Sequence, residues 1–296
     1  MLEPGLVLID KPTDWTSHDV VAKVRKAVGT KKVGHAGTLD PLATGLLVLG
    51  IESGTKLLTF LVGADKTYLA TIRLGVSTVS DDSQSEILTT ATPAAIAQLS
   101  PEMIEKEMAK LTGVISQRPS SVSAIKVDGK RAYDLVRAGE EVELKSREVT
   151  VGAFELLSSS KSDEGYLDLE VKVDCSSGTY IRALARDLGA ALGVGGHITA
   201  LRRTKVGSFD VSDANSITDL ENLRLTPLAK AASDLFPTVS LSDAQVTDLV
   251  HGKRLSDLST TSSLIAGLSG SGQLVAVLEP AGSGLKSVVV FQGEQK

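Results

Sequence analysis

The run KKVGHAGTLDPLATGLLVLG, residues 31–50, sets four glycines and one proline around a single acid, Asp40, with His35 just upstream. Glycines at this spacing let main chain approach a neighbour closely, and Pro41 limits the freedom of the loop. The residue before a proline is held extended, and an aspartate there readily bonds its own backbone. Taken alone, Asp40 is therefore a turn residue. The competing reading is a carboxylate presented to a substrate by a glycine-lined loop.

The rest of the chain narrows the chemistry such a carboxylate can serve. At 296 residues and 42% hydrophobic, the chain is long enough for one large core and a small second domain. MLEPGLVLIDKP lacks a basic segment followed by an apolar cleavage region, and no window reaches the ~18 uninterrupted apolar residues of a membrane helix. A cytoplasmic protein with no membrane contact is expected. The one cysteine, Cys175, excludes an internal disulfide, and His18, His35, His197 and His251 show no metal-ligand spacing. Neither a metal nor a cofactor is expected. GVGGH at Gly193 and GLSGSG at Gly267 lack the strand-to-helix context of a dinucleotide fingerprint and read as turns.

A formal net charge of -5 argues mildly against a nucleic-acid partner, but the charges are unevenly placed. Lys11, Lys23, Arg25, Lys26, Lys31 and Lys32 crowd the first 35 residues; Lys126, Lys130 and Arg131 follow; Arg202, Arg203 and Lys205 stand together without an acid between them. Any one cluster can be a solvated face. Several of them in an acidic remainder point to a phosphate-facing side.

Periodicity gives the elements. GLVLID reads as a strand, and SHDVVAKVRKAVG as a helix capped by Ser17 and stopped by Gly29. KTYLATIRLGV alternates as a strand with Tyr68, Ala70, Ile72 and Leu74 on one face. SPEMIEKEMAKLTG predicts a helix with cap Ser100, Pro101 in its first turn and Gly113 at its end. GYLDLEVKVDC is a half-buried strand that places Cys175 in the core, and YIRALARDLGAALG follows helical spacing. After about residue 233 a short helix, SDAQVTDLVHGKRL, and the strands GQLVAVLEP and LKSVVVFQ predict a small, mostly β module.

The glycine-spaced run resembles the KxGHxGTLDPxAxGxLxxxxG signature of the TruB family of tRNA pseudouridine synthases, at Lys32, Gly34, His35, Gly37 to Pro41, Ala43, Gly45, Leu47 and Gly50. The resemblance continues in register over roughly residues 5 to 209. DKPTDWTSHDVV is similar to the family's DKPxGxTSHDVV, with Asp14 where glycine is usual, and KTYLATIRLGVST to its KxYxxxxxLGxxT strand. SVSAIKVDGKRAYDLVRAG resembles the SAxKxxGxxxYxxARxG block, with Val136 replacing alanine; CSSGTYIRALARDLG and GGHITALRRTKVGSF resemble the last two catalytic blocks. STVSDDSQSE, from Ser77, departs from the usual TDTDDxxG.

The resemblance implies the α/β (α+β) pseudouridine synthase fold, a mixed sheet with flanking helices and a central RNA cleft over residues 1–233, and a small PUA-like RNA-binding domain over 234–296. It implies isomerisation of a T-loop uridine of tRNA, by a monomer with no obligatory protein partner. Asp40 would be the catalytic carboxylate, and Arg182 the cation that keeps it ionised. Tyr68 would stack on the uracil and assist at C5. Tyr180 and Leu201 would line the pocket, His35 would fill the gap left by the flipped base, and Lys11, Lys32 and Arg202 would grip phosphates. From the residues alone, Arg182 reads as pairing with an acid such as Asp187 at the surface, Tyr68 as a core tyrosine, Tyr180 as packing at a helix start, and His35 as a loop histidine bonded to backbone. A tRNA-binding or tRNA-folding protein without chemistry, and a subunit guided by a separate RNA, are the alternatives.

Overall fold

Two neighbouring apolar runs, GLVLIDK and TGLLVLGI, lack polar alternation because the strands they form are covered on both faces. The structure, a computed structural model, describes residues 3–120 and 145–291, with the backbone alone at 126–127 and 130–131. The remainder of the Ser121–Gly139 block, Val136 included, and the side chains of Lys126, Lys130 and Arg131 lie outside the described residues.

The main strands are β1 (Gly5–Lys11), β2 (Thr44–Ile51), β3 (Lys66–Leu74), β4 (Gly113–Gln117), β5 (Arg147–Lys161), β6 (Leu167–Cys175) and β7 (Gly196–Val206). They lie in the order β1-β2-β7-β3-β6-β5-β4, with Asn215–Ser216 outside β1. The sheet is mixed. β2 and β7 pair in parallel, as do β1 and Asn215–Ser216, while the other neighbours along this path are antiparallel. One face carries Val7, Ile9, Leu47, Leu49, Ile72, Val171 and Val173, packed with helices α1 (Ser17–Val28), α2 (Pro101–Lys110) and α3 (Ile181–Ala191).

Local chemistry sets the helix ends, and two differ from the sequence expectation. Thr16, not Ser17, caps α1: its hydroxyl accepts from the Asp19 amide while the Asp19 carboxylate takes the Thr16 amide. Ser17 is turned inward instead, where its Oγ donates to the Leu39 carbonyl and accepts from the Leu39 amide, fastening the helix to the Asp40 loop. Helix α2 starts at Ser100 as expected but ends at Lys110, and Gly113, at φ +91°, opens β4. Of the two glycine-rich stretches, 193–195 turn from α3 into β7 and 269–272 turn between two strands, while Gly196, His197, Gly267 and Leu268 belong to the strands themselves.

The C-terminal sheet runs Thr238–Ser240, Ile265–Leu268, Leu274–Ala281, Gly284–Val290, backed by the Asp243–Val250 helix. It has a core of its own around Leu241, Leu249, Leu278 and Leu285. It also packs against the main sheet, because Ala266, Leu274, Val277 and Phe291 share an apolar cluster with Leu6, Leu8, Leu46 and Val48 on that sheet's second face. That cluster is why β1 and β2 are apolar on both sides.

Gly45 shows how tightly β2 is set against β7. Its φ is +99°, and an added Cβ would lie 2.2 Å from the Arg203 carbonyl oxygen. Gly45→Ala is expected to lower unfolding free energy by about 2–4 kcal/mol, from backbone strain together with steric displacement. Gly29→Ala, at φ +71° with nothing within 4 Å, is expected to cost only about 1 kcal/mol. Urea denaturation measures both; equal losses would contradict this account of the β2–β7 contact.

Candidate active site

The Asp40 loop is fastened by its main chain. Leu39 is pinned by Ser17, the Pro41 carbonyl accepts from the Asp14 amide at 2.9 Å, and the Asp40 carbonyl accepts from the Ala43 amide at 3.1 Å. So held, the loop leaves the Asp40 side chain 40% exposed at a cavity of about 340 Å³. Tyr68, Tyr180, Arg182 and Leu201 line the same cavity, so five of the nine expected site residues meet in one place.

Arg182 is the centre of its electrostatics. Its Nε lies 3.0 Å from Asp40 Oδ2, its Nη1 lies 3.5 Å from Asp82 Oδ2, and Nη1 also donates to the Ser80 carbonyl at 2.7 Å. Side-chain exposure is 6% for Arg182 and 7% for Asp82, so this is a buried pair with one solvent-facing acid. Asp187 pairs with Arg186 instead. The second acid comes from the divergent 77–86 loop. Asp82 is fixed there by Ser80 Oγ at 2.5 Å and the Gln84 amide at 3.0 Å, and its neighbour Asp81, at φ +60°, pairs with Arg186. Burial pushes the Asp81 carboxyl up, against the pull of Arg186.

Tyr68 sits on β3 opposite Arg203 of β7. Burial pushes its phenol pKa up, and the Arg203 guanidinium opposes that rise, so the hydroxyl is protonated at neutral pH. Arg203 is itself buried, donating from Nε to the Leu46 carbonyl and from Nη2 to the Gly37 carbonyl. Lys66 also reaches the cavity wall, donating to the carbonyls of Val62 and Ala64, and burial lowers its pKa to about 8. Asp82, Arg203 and Lys66 were not expected at the site from sequence; Arg203 stood in a basic cluster read as phosphate-facing, and it is buried instead. Strand period offered a signal for one of them: Leu201 and Arg203, two residues apart, face the cavity, while Arg202 faces the other way.

The remaining expected residues are dispersed. Lys11 is a correction: far from an RNA-facing surface, it is completely buried, its ammonium donating to the carbonyls of Pro12, Trp15 and Pro41, and burial brings its pKa to about 8. Arg202 is half exposed, its fork engaged by both oxygens of Asp10 at 2.9 and 2.7 Å. Lys32 is exposed, 3.7 Å from Glu52. His35 lies outside the cavity lining on the short Val33–His35 strand, edge-to-face with His18 at 6.0 Å. Its Nδ1 is buried with no hydrogen-bond partner among the described residues, and burial lowers its pKa, leaving a neutral imidazole at pH 7. Among the described residues, no group of three or more His, Cys, Asp or Glu could hold a metal, and no helix is long and apolar enough to cross a membrane.

A mixed sheet holding a carboxylate, an arginine and a tyrosine in one cleft places the fold in a known structural class. It superposes with a TM-score of 0.71 and 26% identity on a chain in the crystal structure of a Cbf5-Nop10-Gar1 complex, covering 97% of this chain and 84% of that one. The chain belongs to the TruB family: residues 25–181 match the TruB family pseudouridylate synthase N-terminal domain, 182–240 the tRNA pseudouridylate synthase B C-terminal domain, and 236–292 the tRNA pseudouridine synthase II C-terminal domain. Among its relatives, the tRNA pseudouridine synthase B of Leifsonia xyli is 57% identical over 100% of this chain and 95% of its own length. That of Paenarthrobacter aurescens is 50% identical over 97% and 94%.

Arg182→Met should leave Asp82 buried without its cation and cost about 3–5 kcal/mol of stability, whereas a surface pair would cost under about 1 kcal/mol. Adding Asp82→Asn should return part of that loss. A double-mutant cycle in urea reads the coupling, and additive losses would show that the pair is not coupled.

Proposed function

We propose that this protein isomerises a T-loop uridine of tRNA to pseudouridine, acting as a monomer without a guide RNA, a metal or a cofactor. The observation that carries the reading is the Asp40 carboxylate held 3.0 Å from Arg182 in the cavity that Tyr68 lines. The names of the relatives, at 50% and 57% identity over nearly the whole chain, support tRNA as the substrate.

The reaction breaks the bond from C1′ to N1 and forms one from C1′ to C5, so a proton leaves C5 and one is gained at N1, with no change of oxidation state. Asp40 begins it, either by attacking C1′ or by taking the 2′ proton to give a glycal. Arg182 holds the carboxylate oriented. The released uracil must turn without escaping, and a cavity walled by Tyr68 and Leu201 confines it. Because burial keeps the Tyr68 phenol protonated at rest, its oxygen takes the C5 proton only as its own proton leaves to solvent at the cavity mouth, from which N1 is protonated, and Arg203 steadies the oxygen. His35, neutral and flat, stacks in the gap left by the extruded base, which costs a few kcal/mol to flip. Lys32 and Arg202, which lie away from the cavity beside Glu52 and Asp10, contact phosphates farther along the tRNA. The segment 234–296 serves as a PUA-like module that adds RNA affinity and closes the second face of the 1–233 sheet.

The test is incubation of purified protein with unmodified T-arm RNA in EDTA, followed by mapping of pseudouridine. One T-loop uridine should be converted with no added metal or nucleotide. Absence of product with folded protein and folded RNA would overturn the proposal, and so would activity that returned only with metal.

A further inference from the structure

The cations around the cavity are engaged in different ways. Arg182 faces two carboxylates, while Arg203 and Lys66 are buried on main-chain carbonyls. Arg147, the first residue of β5, also lines the cavity, and no carboxylate pairs with it among the described residues. Its Nη2 donates to the Gly178 carbonyl at 2.5 Å and its guanidinium lies 4.6 Å over the Tyr180 ring. Its Nε is buried with no hydrogen-bond partner among the described residues.

The surroundings hold that guanidinium in place. Gly178, at φ +86°, turns its carbonyl to the guanidinium, and the fork rests on the loop through that hydrogen bond. Arg147 pairs across the strands with Gln117, whose amide brackets Tyr180 by accepting from its amide at 2.8 Å and donating to its carbonyl at 3.0 Å. A permanently charged, planar donor fixed at the rim of an anion-bearing cavity suits a second anion of fork-matching geometry, and a nucleotide entering that cavity brings phosphodiesters with it.

We infer that Arg147 binds a phosphodiester flanking the reacting nucleotide, setting the depth at which the base enters beside Tyr180. The inference rests on the proposed function. It makes Arg147 a substrate-binding residue, in addition to those the sequence pointed to.

The test compares wild type, Arg147→Ala and Arg147→Lys on a T-arm hairpin, each checked for an unchanged melting profile. Arg147→Ala should weaken binding roughly 10-fold, the scale of one charge-assisted hydrogen bond. It should also reduce the slope of log K against log salt by about 0.7–0.9, one phosphate's share. Arg147→Lys should keep the slope and lose part of the affinity. A series of hairpins with one neutral methylphosphonate each should show, in wild type, a penalty at a phosphate flanking the target uridine, and Arg147→Ala should abolish that penalty. Unchanged slope and identical penalties in both proteins would overturn the inference and reduce Arg147 to a brace for Tyr180. Conversion of the hairpin by wild type separates the two readings: product without phosphate coupling defeats only the Arg147 assignment, and no product defeats the function on which it rests.

Discussion

A guanidinium shared between two carboxylates governs this cleft. Arg182 is almost fully buried, and a buried charge is costly unless it is paired and its hydrogen bonds are filled. Asp82 and the Ser80 carbonyl meet that need from one side, which leaves Asp40, on the other, both paired and open to a substrate. Three segments distant in sequence must therefore arrive together: the glycine-spaced loop, the 77–86 loop and the first turn of α3. Each is tied separately, by Ser17 to Leu39, by Asp82 to Ser80 and Gln84, and by Gln117 to Tyr180.

The buried lysines and Arg203 belong to the same problem. Loops, a helix end and a strand margin near the cavity leave carbonyls that no ladder pairs, and an unfilled buried carbonyl is destabilising. Lys11 closes Pro12, Trp15 and Pro41; Lys66 closes Val62 and Ala64; Arg203 closes Gly37 and Leu46. These cations act as internal ties. A chain with net charge -5 can thus be rich in basic residues near its cleft without displaying all of them to a nucleic acid.

Legibility in the sequence followed the range of the interaction. Elements with a strong period, such as β3, β6 and α3, lie where the pattern put them, and Cys175 is buried as its place in the alternation required. The α1 cap moved by one residue because Ser17 is claimed by a tertiary contact with Leu39, which local rules do not contain. Asp40, Tyr68, Tyr180, Arg182 and Leu201 were found through a family resemblance, since each has a bland local reading. Lys11 misled for the converse reason: a lysine beside a proline looks solvated until the fold wraps three carbonyls around it. Asp82 was obscured by sitting in a stretch that departs from the family pattern, although the acid that the arginine requires is present.

The central claim is that Asp40 is held by Arg182 for chemistry and not for the turn. Asp40→Asn keeps the size and much of the turn-forming capacity of the side chain while removing its charge. The most direct measurement is single-turnover pseudouridine formation by this variant on T-arm RNA, alongside its RNA affinity and melting temperature. The account predicts turnover below about one percent of wild type, a barrier increase above ~2.7 kcal/mol, with binding and melting little changed. Turnover near the wild-type rate would return Asp40 to the role of a turn residue and contradict the account.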